Sequence, residues 1–186
     1  MKRYEQMRHA RRRRTEVPFR WPQPPLHIVL VEPAIPPNTG NIARLCAATG
    51  TILHLVEPLG FELTEKRLRR AGLDYWDAVD IRVHADFEAY LRETGAVRRF
   101  FFTTSGRQSL FSVRFAPGDH LVFGNETRGL SDELLERFPE QAVNIPQRLD
   151  CVRSLNLSSS AAVALYEALR QIDAGAAPPE PPEATP

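Results

Sequence analysis

The chain has 186 residues, 42% of them hydrophobic and 25% charged, enough for one substantial core and too few for two comfortable ones. No apolar run approaches the roughly 20 residues of a membrane-spanning helix, and the charged start lacks the apolar stretch of a secretory signal, so a cytoplasmic protein is expected. The formal net charge is only +1, yet residues 1–25 hold eight Lys/Arg against two acids, while residues 26–172 hold 16 against 18.

That asymmetry divides the chain into three regions. Residues 1–25 end in the proline-rich PFRWPQPP and read as a flexible basic arm and linker, with an RRRR run suited to RNA attraction. Residues 26–172 form the domain. Residues 173–186, dominated by proline and alanine, read as a disordered tail.

Within the domain HIVLVE (His27–Glu32) predicts the first strand. Pro33, Pro36 and Pro37 argue against helix until Asn38 or Thr39, either of which can cap NIARLCAAT. Gly50 ends that helix and TILHLVEP (Thr51–Pro58) is a second strand. Thr64 caps a short helix through Arg70, a third strand lies near Val79–Val83, and a helix spans Asp86–Glu93. RRFFFTT (Arg98–Thr104), HLVFG (His120–Gly124) and AVNIP (Ala142–Pro146) complete six strands. Ser131 caps SDELLERF, and Asn156 or Ser158 opens a last helix to about Ile172. Short apolar strands alternating with helices predict an α/β fold, a mostly parallel sheet flanked by helices.

Ligands of such sheets bind beyond the carboxyl ends of the strands. The loops Pro33–Asn41, Thr103–Arg107, Gly124–Gly129 and Pro146–Asn156 all fall there. FGNETRGL (Phe123–Leu130) offers backbone N–H groups around two glycines, but it is neither a GxGxxG fingerprint nor a GxxxxGK[ST] loop. A nicotinamide or NTP enzyme is therefore disfavoured. No histidine lies near Ser154, Asn156 and Ser158 in sequence, so a Ser/His/Asp hydrolase is poorly supported. Lys66, Arg67, Arg69 and Arg70, followed by Tyr75 and Trp76, suit a nucleic-acid backbone with unstacked bases; a solvated helix face is the alternative. His9, His27, His54, His84 and His120 show no ligand spacing, and Cys46 and Cys151 belong to no Cys/His cluster, so no metal is expected.

NTGNIARLCAATG, LRRAGLDYW, FGNETRGL and IP…RSLNLSSSAAVALYEAL occur in one order over residues 26–172. Together they resemble the TrmH-like branch of the SPOUT RNA 2′-O-ribose methyltransferases, and most of all its small members that act on the tRNA wobble ribose. The resemblance implies a SPOUT fold with a C-terminal deep trefoil knot, S-adenosylmethionine as cofactor, a homodimer, and the tRNA anticodon stem-loop as partner. It also implies site residues. Arg44, Asn38, Glu126, Ser154 and Asn156 match the catalytic set. Phe102, Thr103, Gly124, Asn125, Ile145, Ser154 and Leu155 match the cofactor pocket, and Arg44, Lys66, Arg67, Arg69, Arg70 and Tyr75 match the RNA-binding residues. PQRLDCVRS, after Ile145, departs from the family's usual hydrophobic continuation. A 2′-O-methyltransferase for another tRNA or rRNA nucleotide, and a non-catalytic RNA-binding protein on the same fold, are the competing readings.

Overall fold

The computed structural model describes residues 17–62, 78–148 and 150–175. The helix expected from Thr64, and with it Lys66, Arg67, Arg69, Arg70 and Tyr75, lies outside the described residues, as does most of the basic arm.

Seven strands form one sheet: β1 (His27–Val31), β2 (Ile52–Val56), β3 (Ile81–His84), β4 (Arg99–Phe102), β5 (Gln108–Ser109), β6 (His120–Phe123) and β7 (Ala142–Asn144). Their order is β3-β2-β1-β6-β4-β7-β5, and every pairing is parallel. Helices cover both faces, which is why the central strands read as continuous apolar runs rather than alternating ones. α1 (Pro36–Thr49) and α4 (Leu157–Gly175) pack together over one face. There Ile28, Leu30, Leu53, Leu55, Leu121 and Phe123 meet Ile42, Ala161 and Leu165 in the larger core. α2 (Phe87–Thr94) and α3 (Asp132–Arg137) cover the other face, with Tyr90 and Leu134 against Val29, Phe101 and Val122.

The six expected strands are present. β5 is a seventh, two residues long and at the sheet edge, too short to give any periodic signal. The first helix begins at Pro36, with prolines in its opening positions and no side-chain cap from Asn38 or Thr39. Prolines are tolerated there because the first N–H groups of a helix have no intrahelical partner. α4 runs to Gly175, past the expected end near Ile172. Ahead of residue 26, Phe19 packs on the larger core and edge-on to Trp21 at 4.7 Å. An aromatic ring on a stiff proline-rich segment orders that segment at little entropic cost.

The chain passes from β4 to β5 by leaving a gap of one strand, and β7 later fills that gap. The connecting loop crosses β7 so closely that a Cβ on Gly106 would stand 2.6 Å from the carbonyl carbon of Val143. Only glycine fits at such a crossing.

Candidate active site

The carboxyl ends of β4, β6 and β7 open onto a cavity of about 510 Å³. Its wall comes from Phe102–Ser105, Phe123–Leu130, the residues around Ile145 and the approach to α4 at Arg153–Leu155. Three of the four loops expected to converge therefore line one space. The fourth, after β1, joins them through hydrogen bonds.

Those bonds centre on Glu126. Its carboxylate accepts from the backbone N–H of Ala34 at 2.8 Å and of Ile35 at 3.1 Å, and from Asn38 Nδ2 at 3.1 Å. This supplies the cap that α1 lacks locally, with a negative charge at the positive end of the helix. Asn38 Oδ1 in turn accepts from Asn156 Nδ2 at 3.0 Å. Asn156 Oδ1 accepts from the N–H and hydroxyl of Ser158 at 2.8 and 2.7 Å, capping α4. With both ends of each amide committed, neither Asn38 nor Asn156 can flip. The starts of α1 and α4 and the loop after β6 are thus fixed to one another.

Asn125 organises the loop after β6. Its side chain donates to the carbonyl of Glu32 at 2.7 Å and accepts from the N–H and hydroxyl of Thr127 at 2.9 and 2.7 Å. The backbone closes on itself between Asn125 and Gly129. A Cβ on Gly124 would overlap the backbone of Gly129 and Leu130, so that turn requires glycine. Glu32 itself adopts a φ of 51°, a left-handed conformation uncommon for a side-chain-bearing residue. Its carboxylate pairs with Arg128 at 2.7 Å.

Phe102, Thr103, Gly124, Asn125, Ile145, Ser154 and Leu155, all expected at the cofactor pocket, lie on the cavity wall. Glu126 and Ser154 line it too, and Asn38 and Asn156 are tied to Glu126. Arg44 stands apart, exposed on α1 and outside the lining. Sequence reasoning missed Gln147 and Arg153, both on the wall. Gln147 Oε1 is buried with no hydrogen-bond partner among the described residues. Its position in the stretch that departs from the family pattern concealed it.

The profile of the SpoU rRNA Methylase family matches residues 25–166. The chain belongs to this family. A SpoU methylase relative from Burkholderia cenocepacia (strain HI2424), named tRNA (cytidine(34)-2′-O)-methyltransferase, is 56% identical over 148 residues, covering 78% of this chain and 94% of the relative. Among solved SpoU-like structures, one described as giving structural insights into the 2-OH methylation of C/U34 on tRNA is 50% identical. It has a TM-score of 0.74, over 78% of this chain and 95% of that one. The AdoMet-bound rRNA methyltransferase from Sinorhizobium meliloti is 26% identical with a TM-score of 0.69, over 78% of this chain and 56% of the other. Among the described residues no helix is long and apolar enough to cross a membrane.

Proposed function

We propose that this chain methylates the ribose 2′-hydroxyl of the tRNA wobble nucleotide, a cytidine or modified uridine at position 34, with S-adenosylmethionine as methyl donor. The observation that carries this reading is the near full-length similarity to a cytidine-34 methyltransferase, in a chain whose strand ends enclose a cavity of about 510 Å³. A volume of that size suits a nucleoside-sized ligand.

Bound S-adenosylmethionine supplies a sulfonium methyl that needs little further activation. The chain's task is then to hold the 2′-oxygen in line and manage the charge that develops on it. Gly124, Asn125, Ile145 and Leu155 hold the cofactor largely through backbone, together with Phe102, Thr103 and Ser154. Arg44 meets the ribose. A guanidinium does not give up its proton in proteins, so its contribution is to stabilise negative charge on the reacting oxygen. Asn38, Glu126 and Asn156 act as positioning residues, since their polar atoms tie α1 to the cavity rim.

Arg44 lies outside its own chain's cavity, and α4 exposes Val163 and Tyr166 one turn apart. Both observations support a homodimer in which α1 and α4 meet a second copy and Arg44 completes a site at the interface. Lys66, Arg67, Arg69, Arg70 and Tyr75 would grip the anticodon stem-loop. The insertion of β7 between β4 and β5 supports a knotted path for the C-terminal segment, and the protein works in the cytoplasm. Mass-spectrometric mapping of ribose methylation in tRNA, from cells with and without the gene, tests the assignment. Unchanged methylation at nucleotide 34 overturns it.

A further inference from the structure

The sheet brings together four histidines that lie about 30 residues apart in sequence. His27 opens β1 and pairs with His120, which opens β6. His54 lies opposite Val29 on β1, and His84 lies opposite Val56 on β2. The steps from His27 to His54 and from His54 to His84 each move two residues along the strand, and the step from His27 to His120 moves none, so the side chains stay on one face. The result is a diagonal row beneath α2, on the face opposite α1 and α4.

We propose that His27, His54 and His120 form a binding site for a divalent transition-metal ion of the zinc class. Each offers a ring nitrogen, and the three nitrogens lie within 4.8 Å of one another. Two imidazoles on one zinc place their nitrogens about 3.3 Å apart, from bond lengths of about 2.0–2.1 Å at the tetrahedral angle. Seating an ion therefore requires the nitrogens to move by up to about 1.5 Å, and the His27 and His120 rings, stacked at 4.0 Å with planes 8° apart, to tilt so that their lone pairs converge.

The surrounding hydrogen bonds set the tautomers of His84 and His54, while His27 has to move its ring proton from Nδ1 to Nε2 to bind an ion. Glu93 accepts from His84 Nδ1 at 2.7 Å. A neutral His84 then accepts at Nε2 from His54 Nδ1, 2.8 Å away. That leaves His54 Nε2 with its lone pair directed toward His27 Nδ1, also at 2.8 Å. A ligating histidine is usually oriented by an acceptor at its other ring nitrogen, and here His84, itself held by Glu93, is that acceptor for His54. His120 is held at Nδ1 by the Tyr90 hydroxyl at 2.8 Å, which leaves Nε2 for an ion.

Access and electrostatics agree. His54 and His120 are buried, whereas His27 is partly exposed and offers an entry side. Burial pushes the pKa of His27 down to about 4, His54 to about 3 and His120 to about 2, so protons do not compete with a metal at neutral pH. Among the facing cations, Arg82 is paired with Asp80 at 2.8 Å. Arg99 is committed to Thr94 Oγ1 and the Gly95 carbonyl, both at 2.7 Å.

The test is titration of the metal-stripped, untagged full chain with Co²⁺, followed by visible absorption and by paramagnetic broadening of the histidine ring NMR signals. One Co²⁺ per chain is expected, with tetrahedral-type bands displaced by Zn²⁺ and broadening centred on His27, His54 and His120. His27→Gln should weaken binding by about 100-fold, and Glu93→Gln by about 10-fold, as loss of an outer-shell partner does. The broadening pattern reads the site without any variant, so a poorly folded His27→Gln does not obscure the result. Absence of saturable one-to-one binding, broadening centred on His9, or unchanged affinity in a folded His27→Gln overturns the proposal.

Discussion

The two polar regions of this molecule are built by opposite means. At the carboxyl ends of β4, β6 and β7, loops with backbone groups on the wall surround open space, and side chains such as Glu126 and Asn125 serve mainly to brace those loops. Beneath α2, histidine side chains bond to one another and fill the space they occupy. The first arrangement leaves a cavity of about 510 Å³. In the second, each unpaired buried polar atom would carry a desolvation cost of about 1–3 kcal/mol, which the hydrogen-bonded chain avoids.

The strongest test of the open region is Arg44→Ala. Removing a charge that acts on the reacting oxygen should lower kcat by at least about 100-fold, with S-adenosylmethionine affinity within about 2-fold of the parent. Single-turnover methylation of tRNA and calorimetry check the two halves. Equal loss of both would place Arg44 in the cofactor pocket instead.

Glu126→Ala removes three accepted hydrogen bonds and the cap of α1. It should cost about 2–4 kcal/mol in urea unfolding, since hydrogen bonds to charged groups contribute about 1.5–3 kcal/mol each and part is recovered by water. The histidine ring NMR signals should stay in place, because the damage is confined to the loop side. Gly124→Ala should cost about 1–3 kcal/mol through forced overlap with the Gly129 and Leu130 backbone, read by the same unfolding measurement.

Acid should act on the closed region first. His27, His54 and His120 have folded pKa values depressed below the ordinary 6.5, so the unfolded chain binds protons more readily. Stability is thus fully present above about pH 6.5 and falls as pH drops toward the folded values. The melting temperature should decline between pH 6.5 and 5, above the carboxylate range, and the decline should be shallower in His27→Gln. A flat profile there would mean the histidines titrate normally. The smallest effect is expected from Arg128→Ala. Its pair with Glu32 has side chains 71% and 38% exposed, and such pairs contribute under about 1 kcal/mol.

Much of this was readable in the chain. The central strands announced themselves because strands buried on both faces become unbroken apolar runs, as in ILHLV and HLVF. Ser131 was recognisable as a cap and accepts the expected backbone N–H of Leu134, whereas Asp86, expected as the first helical residue, proves to be the cap of its helix. The loops of the cavity followed from where strands end. What escaped was non-local. Nothing near Asn38 says that its helix is capped by a glutamate 88 residues later. The histidines have no motif because the parallel register, not sequence spacing, sets their separation. β5 is only two residues long, a length at which alternation carries no information.

The late insertion of β7 between β4 and β5 bears on when the molecule becomes competent. During synthesis β1, β2, β3, β4 and β6 can pair as they emerge, but β5 has no partner strand until β7 is complete at residue 144. The walls contributed by Asn144, Ile145, Gln147 and Ser154 come after that. Long-range parallel pairing is slow because loop closure must precede any gain from contact. The cavity should therefore be the last part of the protein to mature, and a ligand that spans its two halves would favour the finished chain over any partly folded one.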